Sequence, residues 1–204
     1  MFIDYLTLML INLVGGLVVL AGWIYFDPDG KDTRRWVPGL LMSGGIGLIT
    51  GLHMILTWPL PGSFNILFGE MSVFFAVLLL GVAFCIWFAV DMVAVAVYAT
   101  FVGIASLVIG VQVILLGLTK SPALTGVGFI WMGIVGVCAV PMLTLRRSQA
   151  FRVFGAVGLV IAALLWAISG YSAYWGHVEP FAKWKPLSLQ YQLEMNQPKP
   201  PAQQ

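Results

Sequence analysis

The fold is decided by residues 66–118, ILFGEMSVFFAVLLLGVAFCIWFAVDMVAVAVYATFVGIASLVIGVQVILLGL, in which the only charged side chains are Glu70 and Asp91. A helix needs about 20 consecutive apolar residues to cross a membrane, so this run is long enough for two crossings. We place a tight turn at Asp91 and predict spans over 66–89 and 92–118.

The composition of the whole chain agrees with a membrane protein. Of its 204 residues, 60% are hydrophobic and 9% are charged, and its mean hydropathy is +0.98. Soluble domains are about a quarter charged, so this chain lacks the polar residues to cover a surface in water. We expect its partners to be membrane lipids and other membrane subunits or its own copies. The net charge of +2 is too small to suggest nucleic acid.

Four further apolar runs are bounded by polar or proline-containing segments. We predict additional spans over 5–26, 37–58, 123–145 and 153–176. The fold class is therefore all-α, a polytopic membrane protein with a six-helix transmembrane bundle in residues 1–176. Residues 177–204 are predicted to form a tail outside the membrane, with a proline-rich end that we expect to be disordered.

The basic residues predict the orientation of the bundle. The first and fifth loops hold three each, whereas the fourth loop holds one and the tail holds three. Basic residues accumulate on the inner side in short loops, and long tails count weakly. We therefore expect both termini outside, with the Arg34–Arg35 and Arg146–Arg147 loops inside.

Small residues at regular spacing predict close helix packing. They form one ridge in the second span and another in the fourth, where backbones can approach closely. The residues are Ser43, Gly47, Gly51, Gly103, Gly110 and Gly117. The pattern leaves open whether the neighbouring helix belongs to this chain or to another.

His53 and Glu70 are the leading candidates for chemistry within the spans. Both fall near the outer face, on either side of the 58–65 hairpin. A carboxylate beside the imidazole would make the protonation of His53 sensitive to external pH. The alternative, which we favour, is that both residues only contact interfacial water or backbone and hold the hairpin together.

His177 follows the sixth span, so His53 and His177 are weak candidates for haem or metal ligands. Metal sites use clustered ligands, and we expect neither a metal nor a cofactor here. The two cysteines, Cys85 and Cys138, lie in apolar runs where a free thiol packs as a small hydrophobic group.

Asn12, Gln112, Trp131 and Trp166 are the remaining candidates, since they lie deeper in the predicted spans. They would line a pore for a small neutral solute if all four faced one lumen. Interhelical hydrogen bonds for the amides and ordinary core packing for the tryptophans are the favoured alternatives.

Two segments carry a resemblance to a known family. TWPLPGSFNILFGE at 57–70 and MFIDYLTLMLIN at 1–12 resemble an uncharacterised family of bacterial and archaeal multi-pass membrane proteins, a domain of unknown function. The resemblance implies location in the bacterial or archaeal cell (inner) membrane. FIWM at 129–132 is more loosely similar to six-span urea and short-chain amide channels, which implies external termini and a tryptophan-lined constriction.

The functional expectation follows from what the sequence contains and lacks. It has no spacing typical of a catalytic triad, a phosphate-binding loop or a zinc protease, so we expect no enzyme. The leading hypothesis is an accessory or structural subunit that packs against a larger membrane complex or its own copies. A channel or transporter for a small neutral solute is the alternative, and a haem-binding membrane subunit ranks third.

Overall fold

The computed structural model describes residues 4–27, 33–145, 148–182, 184–185 and 189. Within these residues the fold is all-helical without strands, which confirms the predicted class. The helices are α1 (Tyr5–Phe26), α2 (Val37–Thr57), α3 (Met71–Phe88), α4 (Val93–Leu116), α5 (Pro122–Val137), α6 (Ala139–Thr144) and α7 (Gln149–Phe181). A 3-10 turn, Thr33–Trp36, precedes α2, and a π-helical turn, Asn65–Glu70, leads into α3.

Five helical segments among the described residues are long and apolar enough to cross a membrane. They are Tyr5–Phe26, Thr33–Thr57, Asn65–Phe88, Val93–Leu116 and Gln149–Phe181. The first four agree with the predicted spans to within a few residues, because proline and charge mark their ends.

The fifth predicted span, 123–145, differs from the prediction. It is divided at Cys138 into α5 of 16 residues and α6 of 6 residues. Pro141 has no N–H to donate to the Val137 carbonyl, and its ring crowds that carbonyl, so the helix ends there. At 1.5 Å per residue α5 covers roughly 24 Å, less than the about 30 Å of a hydrocarbon core.

The last helix is longer than predicted. α7 contains 33 residues and includes His177, with which the predicted tail begins. Arg146 and Arg147, and most of the tail including its proline-rich end, lie outside the described residues.

Neighbouring helices form a ring in the order α3, α2, α1, α7, α5 and α4, which closes through a smaller contact between α3 and α4. Adjacent helices run in opposite directions. We call the end where α1 begins and α7 ends the His177 end, and the other end the Arg152 end.

The turn between α3 and α4 lies where the sequence predicts it. α3 ends at Phe88, and Ala89 has a left-handed backbone with φ 54°. The Asp91 carboxylate then accepts a hydrogen bond from the Val93 N–H at 2.7 Å. Asp91 therefore satisfies one of the free donors at the start of α4.

The hairpin between α2 and α3 is held by Asn65, whose side chain is fully buried. Its Nδ2 donates to the Leu60 carbonyl at 2.5 Å, and its Oδ1 accepts from the Leu60 N–H at 3.2 Å. The Asn65 amide thus satisfies both backbone hydrogen-bonding groups of Leu60, which lies between two prolines in the loop.

Candidate functional site

The small residues of α4 lie directly against α5. A Cβ at Gly103 would lie 2.7 Å from the Val137 nitrogen, and one at Gly110 would lie 2.7 Å from the Gly126 carbonyl oxygen. Gly117 is different, since no atom lies within 4 Å of its Cβ position among the described residues and its φ is +62°. It ends α4 in a left-handed conformation that glycine adopts without strain.

The ridge on α2 lies between α1 and α3. A Cβ at Gly51 would lie 3.0 Å from the Gly69 carbonyl oxygen. The buried Ser43 hydroxyl donates to the Asn12 carbonyl at 2.8 Å, and Asn12 Nδ2 donates to the Ser43 carbonyl at 2.8 Å. The two residues therefore form a reciprocal bridge between α1 and α2.

An aromatic cluster of Phe68, Phe129 and Trp166 fills the middle of the bundle towards the His177 end. The Trp166 ring is 2% exposed, and its centroid lies 4.9 Å from that of Phe129 and 6.4 Å from that of Phe68, both at edge-on angles. Trp166 Nε1 has no hydrogen-bond partner within the described part of the chain. The three rings pack against one another as part of the hydrophobic core.

On the other side of this cluster lies a cavity of about 1170 Å³. Its wall is formed by α1, α3, α4, α5, α6 and α7, and it extends from Leu13 and Phe75 at mid-bundle to Asp27 and Arg152 at the Arg152 end. The lining is mainly aliphatic and aromatic. The cavity is therefore a deep apolar pocket that is closed towards the His177 end.

Trp131 is the main polar group within the depth of this cavity. Its Nε1 donates to the Gly158 carbonyl at 2.8 Å, so the donor is used to join α5 to α7. The Trp131 side chain is itself part of the cavity wall.

The charged side chains gather at the mouth. Arg152 is half-buried on the first turn of α7 and lines the cavity, and no ion-pair or hydrogen-bond partner for its guanidinium is found among the described residues. Asp27 accepts a hydrogen bond from the Thr33 hydroxyl. The Arg34 guanidinium lies over the Trp87 ring, 5.5 Å from its centroid.

His53 and Glu70 are both exposed and do not contact each other in the described structure. The His53 ring instead meets Tyr5 edge-on, with centroids 5.5 Å apart. No hydrogen bond or ion pair between the two side chains is found among the described residues. His53 thus packs against α1.

The other histidine takes part in a cluster that the sequence analysis missed. His177 Nδ1 lies 2.8 Å from Asp4 Oδ2 and 3.3 Å from Thr7 Oγ1, and the Thr7 hydroxyl donates to Asp4 Oδ1 at 2.7 Å. This cluster joins the start of α1 to the end of α7. Among the described residues no group of three or more His, Cys, Asp or Glu side chains could hold a metal ion.

The four pore candidates do not share a lumen. Asn12 bridges α1 and α2, Trp131 lines the cavity, and Trp166 lies in the aromatic cluster. Gln112 is exposed on the outward side of α4. The arrangement that a pore for a neutral solute required is therefore not found.

Comparison with known proteins gives one match. A family model described as a protein of unknown function, DUF981, covers residues 1–180. The chain belongs to the DUF981 family. Membership confirms the resemblance to an uncharacterised family and brings no activity with it. No curated protein and no solved structure matches this DUF981 chain, so the likeness to urea and amide channels has no support.

Proposed function

We propose that this protein is a non-catalytic, six-crossing subunit of a bacterial or archaeal cell membrane, with both termini outside, that assembles with other membrane subunits or with its own copies. Its own hydrogen bonds make it a rigid helical scaffold. The exposed amide of Gln112 is the observation that favours a neighbouring subunit.

The topology is supported by the contact between Asp4 and His177. This contact brings the start of α1 and the end of α7 to one end of the bundle, which is what an even number of crossings would give. The divided segment α5–α6 then counts as a crossing although α5 is short. Arg34, Arg35 and Arg152 all lie at the opposite end, as expected for the inner side.

The scaffold role is supported by the use of polar groups within the spans. The Ser72 hydroxyl donates to the Gly47 carbonyl at 3.2 Å, and the buried Ser106 hydroxyl donates to the Phe129 carbonyl at 2.7 Å. Together with the Asn12–Ser43 bridge and the Trp131 bond, they join neighbouring helices. Such bonds contribute about 1 kcal/mol each in a membrane.

Gln112 stands apart from these groups. It faces outward on α4, beside Val108, Val111 and Leu115, whose side chains are exposed. It has no hydrogen-bond partner among the described residues, and a polar group facing hydrocarbon is costly. A polar group on an adjacent subunit would remove that cost.

Cysteine cross-linking in native membranes tests the assembly. In a background with Cys85→Ala and Cys138→Ala, Gln112→Cys should cross-link on mild oxidation or with a short bifunctional reagent, giving a product larger than the monomer. Met42→Cys on the outward face of α2, where Met42 is 68% exposed, is the matched control and should remain monomeric.

The same experiment identifies the partner. A product of twice the monomer mass indicates self-assembly, and any other mass indicates a different subunit. Gln112→Leu should weaken the assembly. If Gln112→Cys stays monomeric like Met42→Cys, and Gln112→Leu elutes and melts like the parent, the proposed assembly is wrong.

A further inference from the structure

We propose that the cavity at the Arg152 end binds one hydrocarbon chain of an anionic membrane lipid, whose phosphate is held by Arg152. This inference goes beyond the proposed assembly and needs no partner subunit. It rests on the size, lining and charge of the cavity.

The dimensions of the cavity suit a chain-like ligand. Its volume of about 1170 Å³ exceeds the about 300–1,000 Å³ of ordinary small-molecule sites. Between Asp27 and Leu13 it follows α1 for fourteen residues, roughly 21 Å at the helical rise. One leaflet of a bilayer contributes about 15 Å of hydrocarbon, half of the usual core thickness. A single lipid chain therefore fits along its length.

The lining favours hydrocarbon over water. Leu17, Leu20, Val82, Met132 and Val135 form much of the wall. Of the two tryptophans that line it, Trp131 donates its Nε1–H to Gly158, and Trp23, nearer the mouth, has an Nε1 without a partner among the described residues. A buried water needs two to four polar partners, which this wall does not offer. In a membrane, the apolar material at hand to fill such a space is a lipid chain.

The charge at the mouth selects the headgroup. A guanidinium such as that of Arg152 can bind a phosphate through two parallel hydrogen bonds. It lies on the first turn of α7, where the helix dipole adds positive potential. Of the acidic side chains that the structure describes at this end, Asp27 accepts a hydrogen bond from Thr33 and Asp91 accepts one from the Val93 N–H. An anionic phospholipid therefore complements the mouth better than a zwitterionic one.

Lipid retention by the full-length protein tests this binding. The protein is reconstituted in phosphatidylcholine vesicles containing a minor share of phosphatidylglycerol and extracted in mild detergent, and the retained lipid is quantified by mass spectrometry. The parent should retain phosphatidylglycerol in a stoichiometric amount and in preference to phosphatidylcholine.

Two variants separate the chain from the headgroup. Val82→Trp fills the cavity and should reduce retention several-fold, whereas Val108→Trp on the outward face of α4 should not. Arg152→Gln should weaken phosphatidylglycerol binding on the order of tenfold, the usual loss for a charged hydrogen bond. Arg34→Gln, at the same end but stacked on Trp87, is its control.

The opposite results would overturn the proposal. If Val82→Trp and Val108→Trp retain equal amounts of lipid, the lipid chain lies outside the cavity. If Arg152→Gln still prefers phosphatidylglycerol over phosphatidylcholine as the parent does, the phosphate is bound elsewhere. Val135→Phe, from the α5 wall, repeats the test if Val82→Trp melts below the parent. If the parent retains no lipid while Gln112→Cys cross-links, the lipid proposal is wrong and the cavity is left for a helix of another subunit. If Gln112→Cys does not cross-link but the parent retains lipid as expected, only the proposed assembly is contradicted.

Discussion

The two ends of this bundle are built from similarly apolar residues and packed in opposite ways. Towards the His177 end, Phe68, Phe129 and Trp166 interlock and the helix termini are joined by Asp4 and His177. Towards the Arg152 end, α1, α3, α4, α5, α6 and α7 line a cavity of about 1170 Å³. Hydrophobicity alone therefore does not determine which part of a membrane bundle is closely packed.

The difference depends on side-chain size and on one interrupted helix. Ala96, Ala99, Gly136 and Ala139 lie on the cavity wall, near the break at Cys138, and their side chains are too small to reach its centre. The aromatic cluster at the other end supplies three large rings for a comparable space. We infer that the packed half maintains the fold and leaves the open half free to bind.

The largest effect should come from separating α4 and α5. Gly110→Leu places a side chain where even a Cβ lies 2.7 Å from the Gly126 carbonyl oxygen. Overpacking within a core costs about 1–3 kcal/mol where side chains can shift, but here two backbones must move apart, which costs more, so we expect little folded protein. Gly45→Leu is the control, because no described atom lies within 4 Å of a Cβ there. Yield and thermal melting in detergent measure both, and equal behaviour would refute the close approach.

The next largest effect should distinguish the two halves directly. Trp166→Ala removes a ring that is 2% exposed and should lower the free energy of unfolding by about 3–5 kcal/mol. Trp131→Ala on the cavity wall should cost clearly less, since Trp131 is only partly buried. Denaturant unfolding in mixed micelles compares them. Similar losses would show that the cavity half is as tightly packed as the aromatic half.

Prediction from sequence succeeded where the signal is local. Asp91 and the prolines at 59 and 61 mark turns in the printed sequence, and the helices begin and end beside them. Pro141 indicates the break between α5 and α6, but the continuous apolar run around it favoured the prediction of one unbroken span.

The candidate sites were beyond the reach of the sequence for a physical reason. Asp4 and His177 are 173 positions apart, and only the closure of the ring of helices brings them together. The cavity was equally hidden, because helices that are apolar on all sides have no periodicity to show which face lines a space. His53 and Glu70 are close in sequence, yet their helices turn both side chains outward.

A smaller effect is expected from the bridge between α1 and α2. Asn12→Ala and Ser43→Ala each remove one of the two hydrogen bonds, and each leaves the backbone carbonyl of the other residue without its donor. We expect each single variant to lose about 1 kcal/mol of the free energy of unfolding, and the double variant to lose both amounts. Melting of the parent and the three variants measures these losses, and parent-like melting of both single variants would mean that the bridge does not form in the membrane protein.

The smallest effect concerns the histidines. The cycle of Asp4→Asn and His177→Gln should show a coupling of about 0.5 kcal/mol, as is usual for partly exposed pairs. The matched cycle of His53→Gln and Glu70→Gln should be additive, because these side chains do not touch. If His53 and Glu70 show coupling but Asp4 and His177 do not, the polar contact at the His177 end is made by the other pair.

The short helix α5 also has a consequence for the surrounding bilayer. Its 16 residues span roughly 24 Å, whereas the 33 residues of the adjacent α7 extend over roughly 50 Å. In the proposed six-crossing topology a hydrocarbon core of about 30 Å cannot match both lengths, so we expect α7 to tilt or emerge and the lipid beside α5 to become thinner. The membrane would then be deformed unevenly around the protein, and the thinned sector would adjoin the wall that contains the cavity.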